Sequence, residues 1–583
     1  MSSASDYFLS PAAAGDDWQF LASARTGVTV TPLIDGVDTF KALEQAVAAA
    51  QKTVNLAAWI FNAWQPLQAK SAVNKKLAAR GVSRTVTTWG ELFVAVAGLG
   101  VEVRMLLADF DAVLQDKLHE FAWQNYQKLR ADAAKLAGGH LQAMVSMHDA
   151  RAGAIATLLA STNINNRLTN VLARINVGGF AAAQIHLANM PRLWPLVVVN
   201  KSTGKIEKVS SPSFDICPAA HHQKICIIDS AIAFCGGLDP QIGRIDTPQH
   251  RRGWHDTHVR ADVPLAGDLD RNFAGRWNHE MGAFNTFIGS AALGAKKLPA
   301  IAVTAMTVPS GGPTSGSGPG TGQLIRTLSK NGLGSVPTNV RKDIELAYQQ
   351  VIGLAQQFVY IEDQYVRSDD LANWLIAQAT AKPGLQVIIV LPVAPEEVSS
   401  GSDPVTDLGL SLEHDALIKL KAALKANFGM YSMVMPLRSS HAHATDSLGS
   451  PQIYVHSKTM IVDDVWATIG SANTNPRSFE VDTEANIHWY DPVGVKALRL
   501  ALWNEMLGSP AGMASWVPSS FVSNWESIAS TNKTRTAVQR QGFIVPHDPS
   551  RFPGKGNSQI PDAFAELGDV PSENDELADD ALA

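Results

Sequence analysis

The feature that most constrains this chain is an eight-residue pattern that occurs twice. His222-Gln-Lys224-Ile-Cys-Ile-Ile-Asp229 and His456-Ser-Lys458-Thr-Met-Ile-Val-Asp463 both read HxKxxxxD. After each aspartate come six further residues and then a run of small residues, Gly236-Gly237-Leu-Asp239 in one copy and Gly470-Ser471-Ala-Asn473 in the other. In both, a two-residue step (Asp229-Ser230 or Asp463-Asp464) separates two apolar runs, which is the pattern of a β-hairpin. A lone HxK is usually a surface pair without chemistry; two copies with matched surroundings are not accounted for that way.

What precedes each copy also repeats. The first half reads as strand 28–34, helix 40–50, strand 54–61, helix 92–97 and strand 101–107; the second as strand 323–328, helix 340–357, strand 358–365, helix 371–380 and strand 385–391. The order is that of a diverged internal duplication. The expected fold is therefore α/β, with two fused halves, each a mixed β-sheet flanked by helices, related by a pseudo-twofold axis and sharing one active site. The histidines follow the last of these strands by 115 and 65 residues, so the first half holds about fifty extra residues, expected near 111–160, where composition is helical. A Gly/Pro/Ser-rich stretch, 309–322, reads as a flexible linker. The expected domains are an N-terminal half, 1–308, this linker, a C-terminal half, 323–560, and a disordered acidic tail, 561–583.

Composition limits the partners. A chain of 583 residues exceeds one core, and 46% hydrophobic against 17% charged residues marks a globular protein. The net charge is −6, but eight acids and no base fall in 561–583, which leaves residues 1–560 at +2. A body so near neutral lacks the basic face with which non-specific nucleic-acid binders release counterions, so no nucleic-acid partner is expected. Cys217, Cys226 and Cys235 are nine apart, without the paired spacing of a zinc site, and read as small buried residues. No apolar run approaches the roughly 20 residues that span a bilayer, and Met1–Asp17 lacks the basic and apolar regions of a secretory signal. The expectation is cytoplasmic synthesis, a monomer and, at most, peripheral membrane contact.

On a strand, His222 and Lys224 point the same way, while Asp229, an odd number of positions on, faces oppositely or lies in the turn. Asp229 and Asp463 are therefore assigned to structural hydrogen bonding. His222, Lys224, His456 and Lys458 are the catalytic candidates. Two imidazoles brought together supply a neutral nucleophile and an imidazolium acid, the division of labour that phosphodiester cleavage requires. The lysines, with Asn473, Ser471 and the open backbone at Gly237, are candidates to bind phosphoryl oxygens. The scheme calls for no metal and no cofactor. A zinc site from His221, His222, His255 and His258 is disfavoured, because no cysteine accompanies them and His221 faces away from His222. His441 and His443 read as solvent-exposed in a Ser/Ala-rich loop, and Trp59, Trp64, Trp254 and Trp277 as core residues more than a lipid-facing cleft.

From about Val28 to Pro510 these motifs resemble the phospholipase D superfamily, whose members carry paired HxKxxxxD motifs meeting at one site. Tyr360-Ile-Glu-Asp-Gln364 is similar to the strand before the second motif in lipid-cleaving members, with Asp363 in place of the usual Asn. Ala233-Phe-Cys-Gly-Gly-Leu-Asp239, Trp254-His-Asp256, Arg276-Trp-Asn278, Asn473-Thr-Asn-Pro-Arg-Ser478 and Asp482-Thr-Glu484 resemble the eukaryotic-type branch. The resemblance implies a phospholipase D that hydrolyses the distal phosphodiester bond of glycerophospholipids at a membrane surface, or exchanges the headgroup, through a phosphohistidine. It places the nucleophile at His222 and the acid at His456, or the reverse, with Asp256 and Glu484 behind the imidazoles and Asp239 supporting. The alternatives are a nuclease, a cardiolipin-synthase-like phosphatidyltransferase and, from another class, a non-catalytic lipid-binding scaffold. Such motifs without a signal also suit export by a specialised secretion machine.

Overall fold

A computed structural model describes residues 3–11, 21–136, 138, 140–152, 154–217, 219–294, 296–298, 303–330, 338–394, 404–435, 450–551 and 553. The first half runs β1 (Arg25–Val28), β2 (Val30–Ile34), α1 (Gly36–Ala49), β3 (Thr53–Ala58), α2 (Lys70–Ala79), α3 (Trp89–Ala97), β4 (Glu102–Ala108), α4 (Asp116–Ala133) and β5 (Leu141–Ser146). It continues through α5 (Ala154–Ile175), α6 (Phe180–Ala188), β6 (Val197–Asn200), β7 (Lys205–Lys208), β8 (Ile225–Ile228), β9 (Ile232–Gly236), β10 (Trp254–His255), β11 (Thr257–Asp262) and α7 (Leu265–Ser290). A short hairpin, β12 (Ala292–Leu293) and β13 (Lys296–Lys297), follows.

The second half runs β14 (Gly320–Lys330), β15 (Thr338–Lys342), α8 (Asp343–Ile352), β16 (Phe358–Glu362), α9 (Asp369–Ala381), β17 (Gln386–Leu391), α10 (Pro404–Leu424), β18 (Phe428–Val434) and β19 (Gln452–Val455). Then come β20 (Thr459–Val462), β21 (Trp466–Gly470), α11 (Pro476–Glu480), β22 (Glu484–Tyr490), α12 (Pro492–Leu507), α13 (Phe521–Lys533) and β23 (Ile544–Pro546).

One sheet has the order β2-β11-β9-β8-β3-β4-β5, and the larger sheet contains β14-β22-β21-β20-β16-β17-β18, the same order of corresponding strands. Both are mixed: β3-β4-β5 and β16-β17-β18 are parallel, while β8 and β20 join them antiparallel. The apolar run of β17 is buried throughout, as a strand covered on both faces requires. Its residues alternate between two cores. Ile388 and Val390 belong to one that extends from Val28 to Ile544 and joins the halves, while Val387 and Ile389 pack with Ile344, Leu375 and Leu417 of α8, α9 and α10.

Three features differ from the sequence reading. The strand expected over 28–34 is two strands: β1 pairs with β14 in the second sheet and β2 with β11 in the first. Tyr7 and Phe8 also pack in the second half's outer core, so residues before 308 serve both halves. The extra residues do not lie near 111–160, because α4 and β5 have counterparts in α10 and β18; the surplus is 147–217, between β5 and the first motif, and holds α5, α6 and the β6–β7 hairpin. The Gly/Pro/Ser stretch is not a free linker. Gly316 and Gly318 donate N–H groups to the carbonyls of Thr26 and Gly27, and a Cβ on Gly27, at φ +64°, would lie 2.2 Å from the Gly316 carbonyl oxygen. Glycine composition here serves close backbone contact. His441, His443 and the acidic tail fall outside the described residues.

Candidate active site

The hairpins that carry the motifs are built alike. Asp229 and Ser230 have φ of 55° and 54°, and Asp463 and Asp464 have 54° and 57°, the paired positive values of a type I′ turn. The Asp229 carboxylate accepts the backbone N–H groups of Gln51, Lys52 and Thr53 at the entry to β3; Asp463 accepts those of Gln356, Gln357 and Phe358 at the entry to β16. Each aspartate locks a hairpin to the antiparallel strand beside it.

His222, Lys224, His456 and Lys458 precede strands β8 and β20 in extended connections, not on the strands as expected. Those connections are held from the opposite half. The His222 N–H donates to the Thr483 carbonyl at 2.9 Å, and the His456 N–H to the His255 carbonyl at 2.8 Å. The side chains cross over in the same way. His222 Nδ1 lies 2.9 Å from Glu484 Oε1, and His456 Nδ1 lies 2.7 Å from Asp256 Oδ2. A carboxylate on Nδ1 fixes the tautomer and leaves Nε2 for chemistry. Nε2 of His456 is buried without a hydrogen-bond partner.

Burial dominates the electrostatics. It pushes the carboxyls of Glu484 and Asp256 up to about 7, against the Ser471 hydroxyl, Lys224, Ser478 and Lys458 at Glu484 and against Lys458, the Thr257 N–H and Arg244 at Asp256. Burial also holds His456 well below its usual range, helped by the positive charges of Lys458, Arg244, Lys224 and His222. Desolvation brings Lys458 down to about 8 despite Asp256 and Asp363. Lys224 Nζ sits 3.0 Å from Asp239 Oδ2, and Lys458 Nζ donates to the His456 carbonyl at 2.7 Å and to Gln364 Oε1 at 3.3 Å. Asp363, standing where the resemblance has Asn, accepts the N–H groups of Tyr365 and Thr474, and burial raises it to about 7.

The expected phosphate binders divide. Asn473 is buried with its Oδ1 unpartnered. Ser471 is spent elsewhere: its hydroxyl donates to Glu484 at 2.5 Å, and its N–H to the Ala485 carbonyl. The Gly237 N–H donates to the Thr257 carbonyl, and a Cβ at this position would lie 2.1 Å from Asp256 Oδ1. The Ser471 hydroxyl is thus engaged by Glu484, and Gly237 leaves the space that Asp256 fills. Asp239 also accepts the Trp59 N–H at 2.9 Å.

Several contributors escaped sequence reasoning. Gln223 and Ser457, the variable positions inside HxK, carry bonds between halves: Gln223 Nε2 donates to the Glu484 carbonyl, and Ser457 Oγ pairs with Thr257 Oγ1. Ser478 donates to Glu484 at 2.8 Å. The Arg244 guanidinium stacks 3.7 Å from the Trp254 ring centroid, beside His456. Only hydrophilic side chains at fixed offsets could have flagged these, and nothing in a single sequence ranks one offset above another. Of the tryptophans, Trp59 packs edge-on against His222 and Trp254 lies against His456, Trp277 is core, and Trp64 is half exposed. The four histidines weighed as zinc ligands do not converge: His221 turns to Glu280, His222 to Glu484 and His255 to Glu362, while burial leaves His258 neutral.

The model of the family described as "Cardiolipin synthase, PLD-like domain" matches residues 348–504. Phospholipase D beta 2 of Arabidopsis thaliana is 26% identical, over 58% of this chain and 51% of its own length. Phospholipase D alpha 1 of Nicotiana tabacum is 26% identical, over 49% of each chain. The chain spans about half the length of the curated relatives it matches. A phosphatidylserine synthase of Haemophilus influenzae Rd KW20 aligns over 97% of both chains at 12% identity, with a TM-score of 0.42. Together the family-model match and these relatives support a place for the chain in the phospholipase D superfamily.

Proposed function

We propose that the chain is a phospholipase D-type enzyme, cleaving the distal phosphodiester bond of glycerophospholipids to phosphatidic acid and free headgroup, or passing the phosphatidyl group to an alcohol. One observation carries the reading: each motif histidine is oriented by a carboxylate from the other half, Glu484 for His222 and Asp256 for His456. Relatives named phospholipase D support a phosphodiesterase or phospholipid-modifying activity in general. No helix among the described residues is long and apolar enough to cross a membrane, which suits a substrate met at a surface.

His222 Nε2 attacks phosphorus, the P–N bond forms as the bond to the headgroup oxygen breaks, and a proton on His456 Nε2 passes to the departing alcohol. Water, or an acceptor alcohol, then gives its proton to His456 and attacks phosphorus, and the P–N bond breaks. Charge on the phosphoryl oxygens is met by Lys224 and Lys458, which are buried and so act without a solvent screen. Burial and nearby cations hold His456 neutral in the absence of an anion. A bound phosphodiester anion offsets those cations and restores the basicity needed for the acid role.

The test is labelled phosphatidylcholine with and without ethanol. The proposal expects phosphatidic acid in water, phosphatidylethanol with the alcohol, and acid-labile label on the quenched protein. Cleavage of nucleic acid without either lipid product would refute it. The family model matched by 348–504 also supports a transfer reaction with a phospholipid acceptor; product formation only when phosphatidylglycerol is supplied would favour that reading.

A further inference from the structure

The insertion 147–217 has no counterpart in the second half, and the phosphodiester chemistry leaves it without a task. It carries seven basic and three acidic residues, a net +4, in a chain whose overall charge is −6. A chain that is acidic overall meets an anionic surface only through a local positive face, and the insertion supplies one.

The outer end of the insertion is apolar. α5 and α6 are joined by Val177-Gly178-Gly179, with the glycines at φ +84° and +85°, and every residue from Val177 to Ala181 is exposed. Val177 is 73% exposed, Phe180 37%, and Ile185, one turn beyond Ala181 on α6, 66%. Single exposed apolar side chains are ordinary; three within nine residues that include no charge are not. The β6–β7 hairpin lies beside this turn. Asn176 ties the two together: its Nδ2 donates to the Ile206 carbonyl at 2.9 Å, and its Oδ1 accepts the Ile206 N–H at 2.9 Å. A Cβ on Gly204 would lie 3.9 Å from the Phe180 Cβ. Val197 and Ile206 of the hairpin are buried, while Lys201, Lys205 and Lys208 are exposed. The acid among them, Glu207, is taken up by Asn200 and Thr203. The apolar turn and the lysines therefore stand side by side.

This tip also rests on the catalytic edge of its sheet. Arg174, near the end of α5, pairs with Asp116 and Glu120 of α4 at 2.6 and 2.9 Å, and α4 follows β4 at the C-terminal ends of the parallel strands. Those ends lead to Trp59 and Phe110, which pack edge-on at 4.7 Å, and Trp59 packs on His222 at 5.0 Å. Ligands approach sheets of this kind from that end.

We propose that this tip, Val177, Phe180 and Ile185 with Lys201 and Lys205, docks the chain on a bilayer containing anionic phospholipid. The proposal rests on the phospholipid-cleaving reading above and adds to it the surface that meets the membrane. The apolar side chains enter the headgroup boundary while the ammonium groups meet the surrounding phosphates, the combination by which interfacial elements bind. Charge favours a membrane over a protein partner: the lysines complement a uniformly anionic surface, and 177–185 offers Gln184 as its one polar side chain.

The experiment is cold flotation of the full chain with vesicles of phosphatidylcholine alone and of phosphatidylcholine with phosphatidylglycerol. The chain is expected to float with the anionic vesicles, not with phosphatidylcholine alone, and to be released by high salt. The double variant Lys201→Ala, Lys205→Ala is expected to bind about 30-fold more weakly, and Phe180→Ser about 10- to 100-fold more weakly. Both are expected to keep the wild-type melting temperature and the wild-type rate on soluble bis(p-nitrophenyl) phosphate. Val177→Cys, labelled with an environment-sensitive fluorophore, gives a readout independent of those variants, its emission shifting to the blue on anionic vesicles. Flotation without turnover of any lipid refutes the phospholipase reading and leaves the docking surface standing. No flotation of the wild-type chain, flotation undiminished in both variants, or a wild-type dimer that Phe180→Ser dissolves overturns the docking surface.

Discussion

Glu484→Gln tests the crossed arrangement most sharply. The carboxylate accepts from His222 Nδ1 at 2.9 Å, Ser471 Oγ at 2.5 Å and Ser478 Oγ at 2.8 Å. An amide has the same shape but carries no charge and turns an N–H₂ toward one of these donors. Losing a charge-assisted bond to the imidazolium costs about 1.5–3 kcal/mol, which is about 10- to 150-fold in rate. If the amide selects the wrong tautomer, the penalty grows; the equivalent swap behind the histidine of a serine protease costs about 10⁴-fold. The expected fall in kcat therefore lies between about 10 and 10⁴.

The pH dependence gives a second readout. Burial raises the Glu484 carboxyl to about 7, so it is ionised and able to accept from Nδ1 above that pH and protonated below it. Turnover is expected to rise as pH passes upward through 7. The stability term has the opposite sign: the folded protein holds this proton more tightly than the unfolded chain, so the contribution is complete below the unfolded value of 4.5 and is lost as pH rises through about 7. Glu484→Gln removes both trends. The assay is choline release from phosphatidylcholine between pH 5.5 and 8.5, with melting temperature measured in the same buffers. A variant within threefold of wild type in kcat, with an unchanged pH profile, would refute the reasoning.

Three further outcomes follow from the geometry. With a phosphatidyl-p-nitrophenol substrate, whose leaving group needs no acid, His456→Ala is expected to release one equivalent of nitrophenolate and accumulate phosphoenzyme while His222→Ala releases none; the reverse pattern exchanges the two roles. Gly237→Ala forces a methyl group to within 2.1 Å of Asp256 Oδ1. Kinetic and melting measurements are expected to show at least about a 10²-fold loss of kcat, the carboxylate being displaced from His456, and about 1–3 kcal/mol of overpacking. Asp229→Ala strands three N–H groups at the entry to β3 and is expected to cost about 2 kcal/mol by urea titration, with kcat per folded molecule close to wild type; a large kcat loss at full stability would contradict a structural role.

Much of the succession of strands and helices along each half is legible because β and α patterns alternate with different periods and because the motif, hairpin and small-residue run recur together. The pairing of Glu484 and Asp256 with imidazoles came through resemblance, since no local pattern links positions 222 and 484. What stayed hidden depends on tertiary register. Ser471 looks like a phosphate donor until β22 brings Glu484 within reach of its hydroxyl. Gly237 looks like an open backbone until Asp256 fills the space beside it. The break in the strand over 28–34 is invisible in its apolar pattern, because both pieces are strands and only their partners differ. The surplus residues were misplaced because α4 has the composition of an insertion, while its counterpart α10 was not recognised as a helix between corresponding strands.

The exchange of acids between the halves ties turnover to their docking. With the halves loosened but most strands still formed, each imidazole would lose its buried anion, and the rate would vanish while circular dichroism still reported folded strands. In a denaturant series, inactivation should accordingly run ahead of unfolding, making a phosphodiesterase assay a sensitive gauge of the contact between the halves.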